Sequence, residues 1–157
     1  MSALLATTVV INAESESVPD QSRLAQWSAA AYLGNSASSV CIAVVDEQES
    51  GAMNAKYRGQ QKATNVLSFP LELPDYVAEA ALGDVVICAP VVEREAHAQG
   101  KPVAAHWAHM VVHGMLHLQG YDHATDEEAA AMESLETRIL RDLGFADPYT
   151  GYAVYME

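Results

Sequence analysis

The sequence predicts an α+β fold, with a small mixed four-stranded sheet covered by about five helices in one domain spanning residues 1–157. Three observations carry that reading. Four short apolar runs have the length and β-branched content of strands. About five longer segments carry apolar residues at helical spacing between start and stop signals. The two kinds of segment do not alternate strictly along the chain.

In chain order, Thr7 to Ile11 is a β-branched run that predicts the first strand, followed by a polar, acidic loop from Asn12 to Val18. Asp20 caps a helix from Gln21 to about Leu33, with Leu24, Trp27, Ala31 and Tyr32 on or near one face, Trp27 in the core, and Gly34 as the stop. Ser39 to Val45 is a second strand, mostly apolar and so expected to be buried on both faces. Asp46 with Glu49 signals a short helix to about Lys56, and Tyr57 to Ala63 is expected to be an exposed loop carrying Arg58 and Gly59. Asn65 to Pro70 is the third strand, continued as loop through Leu73-Pro74-Asp75, and Gly83 to Cys88 is the fourth. Ala89-Pro90 opens a helix to about Gln99, and Gly100 separates it from the next. Val103 to Leu118, preceded by Pro102 as a first helical position and stopped by Gly120, is the most apolar helix and should be among the most buried elements. Thr125 with Glu128 forms a capping box for a last helix to about Leu143, whose Ala129, Met132, Leu135, Ile139 and Leu143 face the core. Tyr149 to Glu157 is expected to be a loosely held tail.

Half of the 157 residues are apolar, enough for a sizeable core. No apolar run approaches the roughly 18 residues of a membrane span, and no secretion signal opens the chain, so a cytoplasmic protein is expected. Cys41 and Cys88 lie near the ends of strand-like runs, which suits unpaired thiols in a reducing compartment. The net charge of −13 disfavours unaided capture of nucleic acid, whose affinity rests on Lys and Arg. Only eight such residues occur, yet Lys56, Arg58 and Lys62 fall close together, so an anionic substrate would meet the chain there unless these are solvated side chains that offset Glu47 and Glu49.

The chemistry is concentrated in His113, His117 and His123, at the spacing H-x3-H-x5-H. The first two sit one turn apart on one helix face, and a left-handed Gly120 turns the chain so that His123 returns over that face. Three neutral imidazoles with no fourth ligand in sight match a catalytic zinc site with one position left for water; zinc is preferred to iron because the third ligand is histidine. In H-E-x-x-H peptidases a glutamate follows the first histidine, whereas here Gly114 stands there.

Together with Tyr57-Arg58-Gly59, Thr64 to Pro70 and Gly83 to Cys88, the histidine segment resembles the YbeY family of bacterial rRNA maturation factors, with the segments in the family's order over most of the chain. The resemblance implies an α+β fold and a metal-dependent, single-strand-specific endoribonuclease that acts in maturation of the 3′ end of 16S rRNA and in ribosome quality control. It implies His113, His117 and His123 as ligands of a zinc ion and Arg58 as the functional arginine, with single-stranded rRNA, the ribosome or its small-subunit precursor, and assisting proteins as partners. Chemically, a zinc ion would acidify a water and polarise a phosphoryl oxygen while Arg58 gripped the phosphate; attack by water and attack by the ribose 2′-hydroxyl both remain open. His106 and His109 share the ligand face, as second partners of a ligand ring or as filling, and Asp122, Asp84 and Tyr121 each admit a site role or a structural one. Two alternatives stand beside the nuclease: a binding factor in ribosome assembly whose metal is structural, and a metallohydrolase of another substrate class.

Overall fold

The computed structural model describes residues 4–71 and 81–149. The strands are β1 (Leu5–Ile11), β2 (Ser38–Val45), β3 (Val66–Pro70) and β4 (Gly83–Cys88), and the helices are α1 (Gln21–Ala31), α2 (Glu47–Arg58), α3 (Ala89–Gln99), α4 (Val103–Leu118) and α5 (Asp126–Asp142). The sheet order is β1-β2-β4-β3, with β1, β2 and β4 parallel and β3 antiparallel to β4. This is the expected mixed four-stranded sheet with five helices. The loop expected at Leu73–Asp75 and the tail beyond Tyr149 fall outside the described residues.

Strand alternation divides the core. Ile42, Val44, Val85 and Ile87 face α1, α4 and α5 in the larger cluster, while Val45, Val86 and Cys88 turn to the other face with Leu67 and Val91. The second face is thinly covered. Cys41 and Ala43 are only half-buried, so β2 is not buried on both faces as its apolar sequence suggested. Both cysteines are unpaired. Among the described residues no helix is long and apolar enough to cross a membrane.

Two helix ends differ from expectation. Helix α1 stops at Ala31 rather than Leu33 because Tyr32 is extended, and Gln119 takes over its end: the Gln119 amide donates to Ala31 O at 2.8 Å and its oxygen accepts Leu33 N–H at 2.7 Å. A side chain 86 residues away thus does what a local stop was expected to do. Helix α2 runs on to Arg58, so Tyr57 and Arg58 stand in its last turn rather than in a loop. Gly59, at φ 70°, is the left-handed cap, and the segment beyond is tied back by Asn54 Nδ2 donating to Lys62 O at 2.8 Å and Ser50 Oγ donating to Thr64 O at 3.0 Å. Pro102 precedes α4 as its cap instead of opening its first turn. The capping box of α5 is present in both directions, with Glu128 N–H donating to Thr125 Oγ1 at 3.1 Å and Thr125 N–H donating to Glu128 Oε1 at 3.2 Å.

Helix α4 is the centre of the packing. Past its first two residues, the only positions on it that are not buried are His113 and His117. Val111, Val112 and Gly114 are mediocre to poor helix formers, costing up to about 1 kcal/mol each against alanine. Full burial of side chains such as Val111, Val112, Met115 and Leu116, worth about 1.5–3 kcal/mol each, outweighs that cost, so tertiary packing rather than propensity makes this helix. Gly114 sets how close it lies to the sheet. A Cβ there would stand 2.6 Å from Val85 Cγ1, 3.2 Å from Val66 Cγ2 and 3.3 Å from Ser68 Oγ, and Ser68 Oγ donates to Gly114 O at 3.0 Å.

Gly114→Ala is therefore expected to lower stability by about 1–3 kcal/mol through overpacking against a stiff valine in a buried strand. The gain in helix propensity of about 1 kcal/mol offsets only part of this. Urea denaturation checks it, and a variant as stable as the parent contradicts the close approach.

Candidate metal centre

The two unburied residues of α4 are the two that its sequence singles out. His113 and His117 have ring centroids 4.6 Å apart, and their Nε2 atoms face each other at 3.1 Å. After Leu118 the chain turns through Gly120, at φ 98°, with Tyr121 N–H donating back to Leu116 O at 3.0 Å. That turn delivers the exposed His123, whose ring lies 5.6 Å from that of His113 and 5.1 Å from that of His117. One nitrogen from each of the three rings lies within 4.8 Å of the others. Asp122 spends its carboxylate on the turn, accepting His123 N–H at 2.8 Å.

Gathering three imidazoles has an electrostatic consequence. Burial, then the neighbouring His113 and His123 rings, push the His117 pKa below its ordinary value, which favours the neutral form that offers a lone pair. The donor set suits a divalent ion of zinc type. Tetrahedral nitrogen ligands at about 2.0–2.1 Å from an ion stand roughly 3.3 Å from one another, close to the His113 to His117 separation.

The sequence reading missed the residue behind His113. Glu136, on α5, is fully buried, and its Oε2 accepts from His113 Nδ1 at 2.5 Å. Its Oε1 accepts from His109 Nε2 at 3.1 Å and from the Tyr149 hydroxyl. Burial alone would raise the Glu136 pKa, but the hydrogen bonds from His109 and His113 prevail and hold the carboxyl at about 2, so it is an ionised acceptor. Hence His113 carries its proton on Nδ1 and presents the Nε2 lone pair to the cluster. The signal was visible: Glu136 interrupts the apolar face that Met132 and Ile139 define on α5. His109 is buried, and burial lowers its pKa despite Glu136. His106 lies further along α4, paired with Glu95 Oε1 at 2.9 Å, and takes no part in the cluster.

Arg58, in the last turn of α2, shares a cleft with two of the three histidines. With Ser68, His117, Tyr121, Asp122 and His123 it lines a cleft of about 380 Å³. Of the other two cations in its cluster, Lys56 Nζ stands 5.2 Å over the Tyr57 ring, and Lys62 is exposed outside the cleft lining. Asp84 lies elsewhere, in a separate hollow beside Cys41. Gly114 faces the sheet, and the Val85 contact leaves no space there for the glutamate of an H-E-x-x-H peptidase.

Residues 11–144 match the family model described as Endoribonuclease YbeY. The chain is 57% identical over 137 residues to an Endoribonuclease YbeY from Methylococcus capsulatus, a match covering 87% of this chain and 91% of that protein. The solution structure of TM1509 from Thermotoga maritima resembles it with a TM-score of 0.50 over 90% of this chain and 98% of that one, at 23% identity, a likeness of fold alone.

In the metal-free protein, His109 and His117 are expected to titrate below the ordinary imidazole value of about 6.5. The sign follows from linkage: as pH falls below that value the unfolded chain takes up these protons first, so both residues subtract stability in acid and nothing at neutral pH. NMR titration of the ring protons checks this, and a midpoint at or above 6.5 for either residue contradicts it.

Proposed function

The chain belongs to the YbeY family of endoribonucleases, and from that membership we propose that residues 1–157 act as a single metal-dependent domain cleaving single-stranded rRNA. The observation that carries the reading is the cluster of three imidazole nitrogens, two of whose rings, His117 and His123, line one cleft with the Arg58 guanidinium. His113, His117 and His123 are the ligands in this proposal, zinc is the ion, and the remaining position is left to solvent. When bound, the ion supplies Lewis-acid chemistry and acidifies water at neutral pH.

The chain's own residues supply the rest. Arg58, exposed at the rim of the cleft, presents a fork of N–H donors that suits the non-bridging oxygens of a phosphodiester and offsets the charge growing there during attack. The nucleophile is water or the ribose 2′-hydroxyl of the substrate; only the second leaves a 2′,3′-cyclic phosphate, so the products distinguish the routes. The crowding around position 114 speaks against a peptidase.

The acidic surface shapes the choice of substrate. With a net charge of −13 the chain repels free RNA over most of its surface, so attraction is confined to the neighbourhood of Arg58. We infer that it works in the cytoplasm on 16S rRNA 3′ ends presented by the ribosome or a small-subunit precursor, with other proteins assisting capture.

Purified protein is expected to cleave single-stranded RNA, to lose that activity to a chelator and to regain it with zinc. Arg58→Ala should cost about 10²–10³ in rate without unfolding the domain, and His113→Ala should abolish both zinc binding and cleavage. Cleavage that survives both substitutions overturns the proposal. A zinc-free protein that melts far lower and cleaves no worse points instead to a structural metal.

A further inference from the structure

Among the described residues Glu136 is the only buried acid, and a buried ionised carboxylate persists only where donors surround it. Three do: His113 on one oxygen, His109 and Tyr149 on the other. The two nitrogens of His113 thereby face opposite ways, Nδ1 to Glu136 and Nε2 to His117. His109, His113 and Glu136 also lie close enough together to suggest a second ion. Glu136 Oε2 and His113 Nδ1 stand in hydrogen-bonding contact while His113 turns its other nitrogen towards His117, which suits a carboxylate placed behind a ligand ring.

We propose that Glu136, braced by His109 and Tyr149, is the positioning residue of the metal centre: it fixes the tautomer and rotation of His113 and so aims the Nε2 lone pair at the ion. The carboxylate behind the ring also raises the basicity of the donor nitrogen. Tyr149 makes the segment after α5 part of this support. Within that segment Tyr149 N–H donates to Asp147 Oδ1 at 2.8 Å, a local turn that sets the direction of the chain at Tyr149. His109 completes the brace with its Nε2–H, while its Nδ1 has no partner among the described residues.

The inference rests on the reading of the three histidines as ligands, and one experiment separates the two. Zinc affinity of the full chain is measured by competition with a chromophoric chelator for the wild type, Glu136→Gln and Tyr149→Phe, with thermal melts of each zinc-free protein alongside. Glu136→Gln is expected to bind zinc about 10–100-fold more weakly. Tyr149→Phe, which leaves the contact to His113 in place, is expected to show a smaller loss of affinity and a smaller fall in melting temperature than Glu136→Gln. Wild-type affinity in both variants, even with lowered melting, makes Glu136 a packing element and overturns the proposal. If Glu136→Gln does not fold, Tyr149→Phe decides: weaker binding supports the brace, and wild-type affinity removes it. A wild-type chain that binds no zinc overturns the metal-centre reading itself, and this inference with it.

Discussion

Helix α4 can lie close against β3 and β4 because residue 114 has no side chain, and the geometry of the site follows from that approach. A helix held this way is buried nearly all round, so its residues have little freedom in where they point. Two positions past its start escape burial, and both are histidines. The entropy of aiming two rings at one point is thus met in folding, as part of the hydrophobic core, before any ligand arrives. The third ring needs only a short turn, which Gly120 supplies.

Charge is distributed with the same economy. Burial and the two neighbouring rings keep His117 available as a neutral donor, while the one charge behind the cluster, on Glu136, is negative and satisfied by hydrogen bonds. Tyr149 feels the other side of that arrangement: burial and the adjacent Glu136 carboxylate hold its hydroxyl protonated far above the ordinary range, so it remains a donor. Arg58 lines a cleft with His117 and His123 in a chain of net charge −13. In the proposed function the guanidinium of Arg58 takes the phosphate and the histidines take the ion, an arrangement that suits phosphodiester chemistry at a metal.

Much of this was legible in the sequence, for reasons that can be named. Helices α3 and α4 and strand β4 have the limits read from their Pro, Gly and apolar punctuation, because those signals act locally. The end of α1 was misread because Gln119, distant in sequence, caps it. The end of α2 was misread because Tyr57 and Arg58 resemble loop residues until Gly59 is recognised as the cap. The histidine spacing announced a site, since two rings one helical turn apart and a third past a glycine converge on geometric grounds. Glu136 was hidden for the opposite reason: its partners come from two other parts of the chain, α4 and the segment after α5, and only the tertiary fold brings α5 and Tyr149 to the back of α4. The half-covered second face of β2 was also beyond reach, because apolar composition does not reveal which faces the helices will cover.

The most direct test is X-ray absorption spectroscopy of the zinc-loaded chain. Three imidazole nitrogens at about 2.0–2.1 Å with one oxygen of solvent completing the shell is the expected result. A shell closed by a fourth protein side chain, or one in which Glu136 itself is a ligand, would contradict the open three-histidine centre on which the whole account depends.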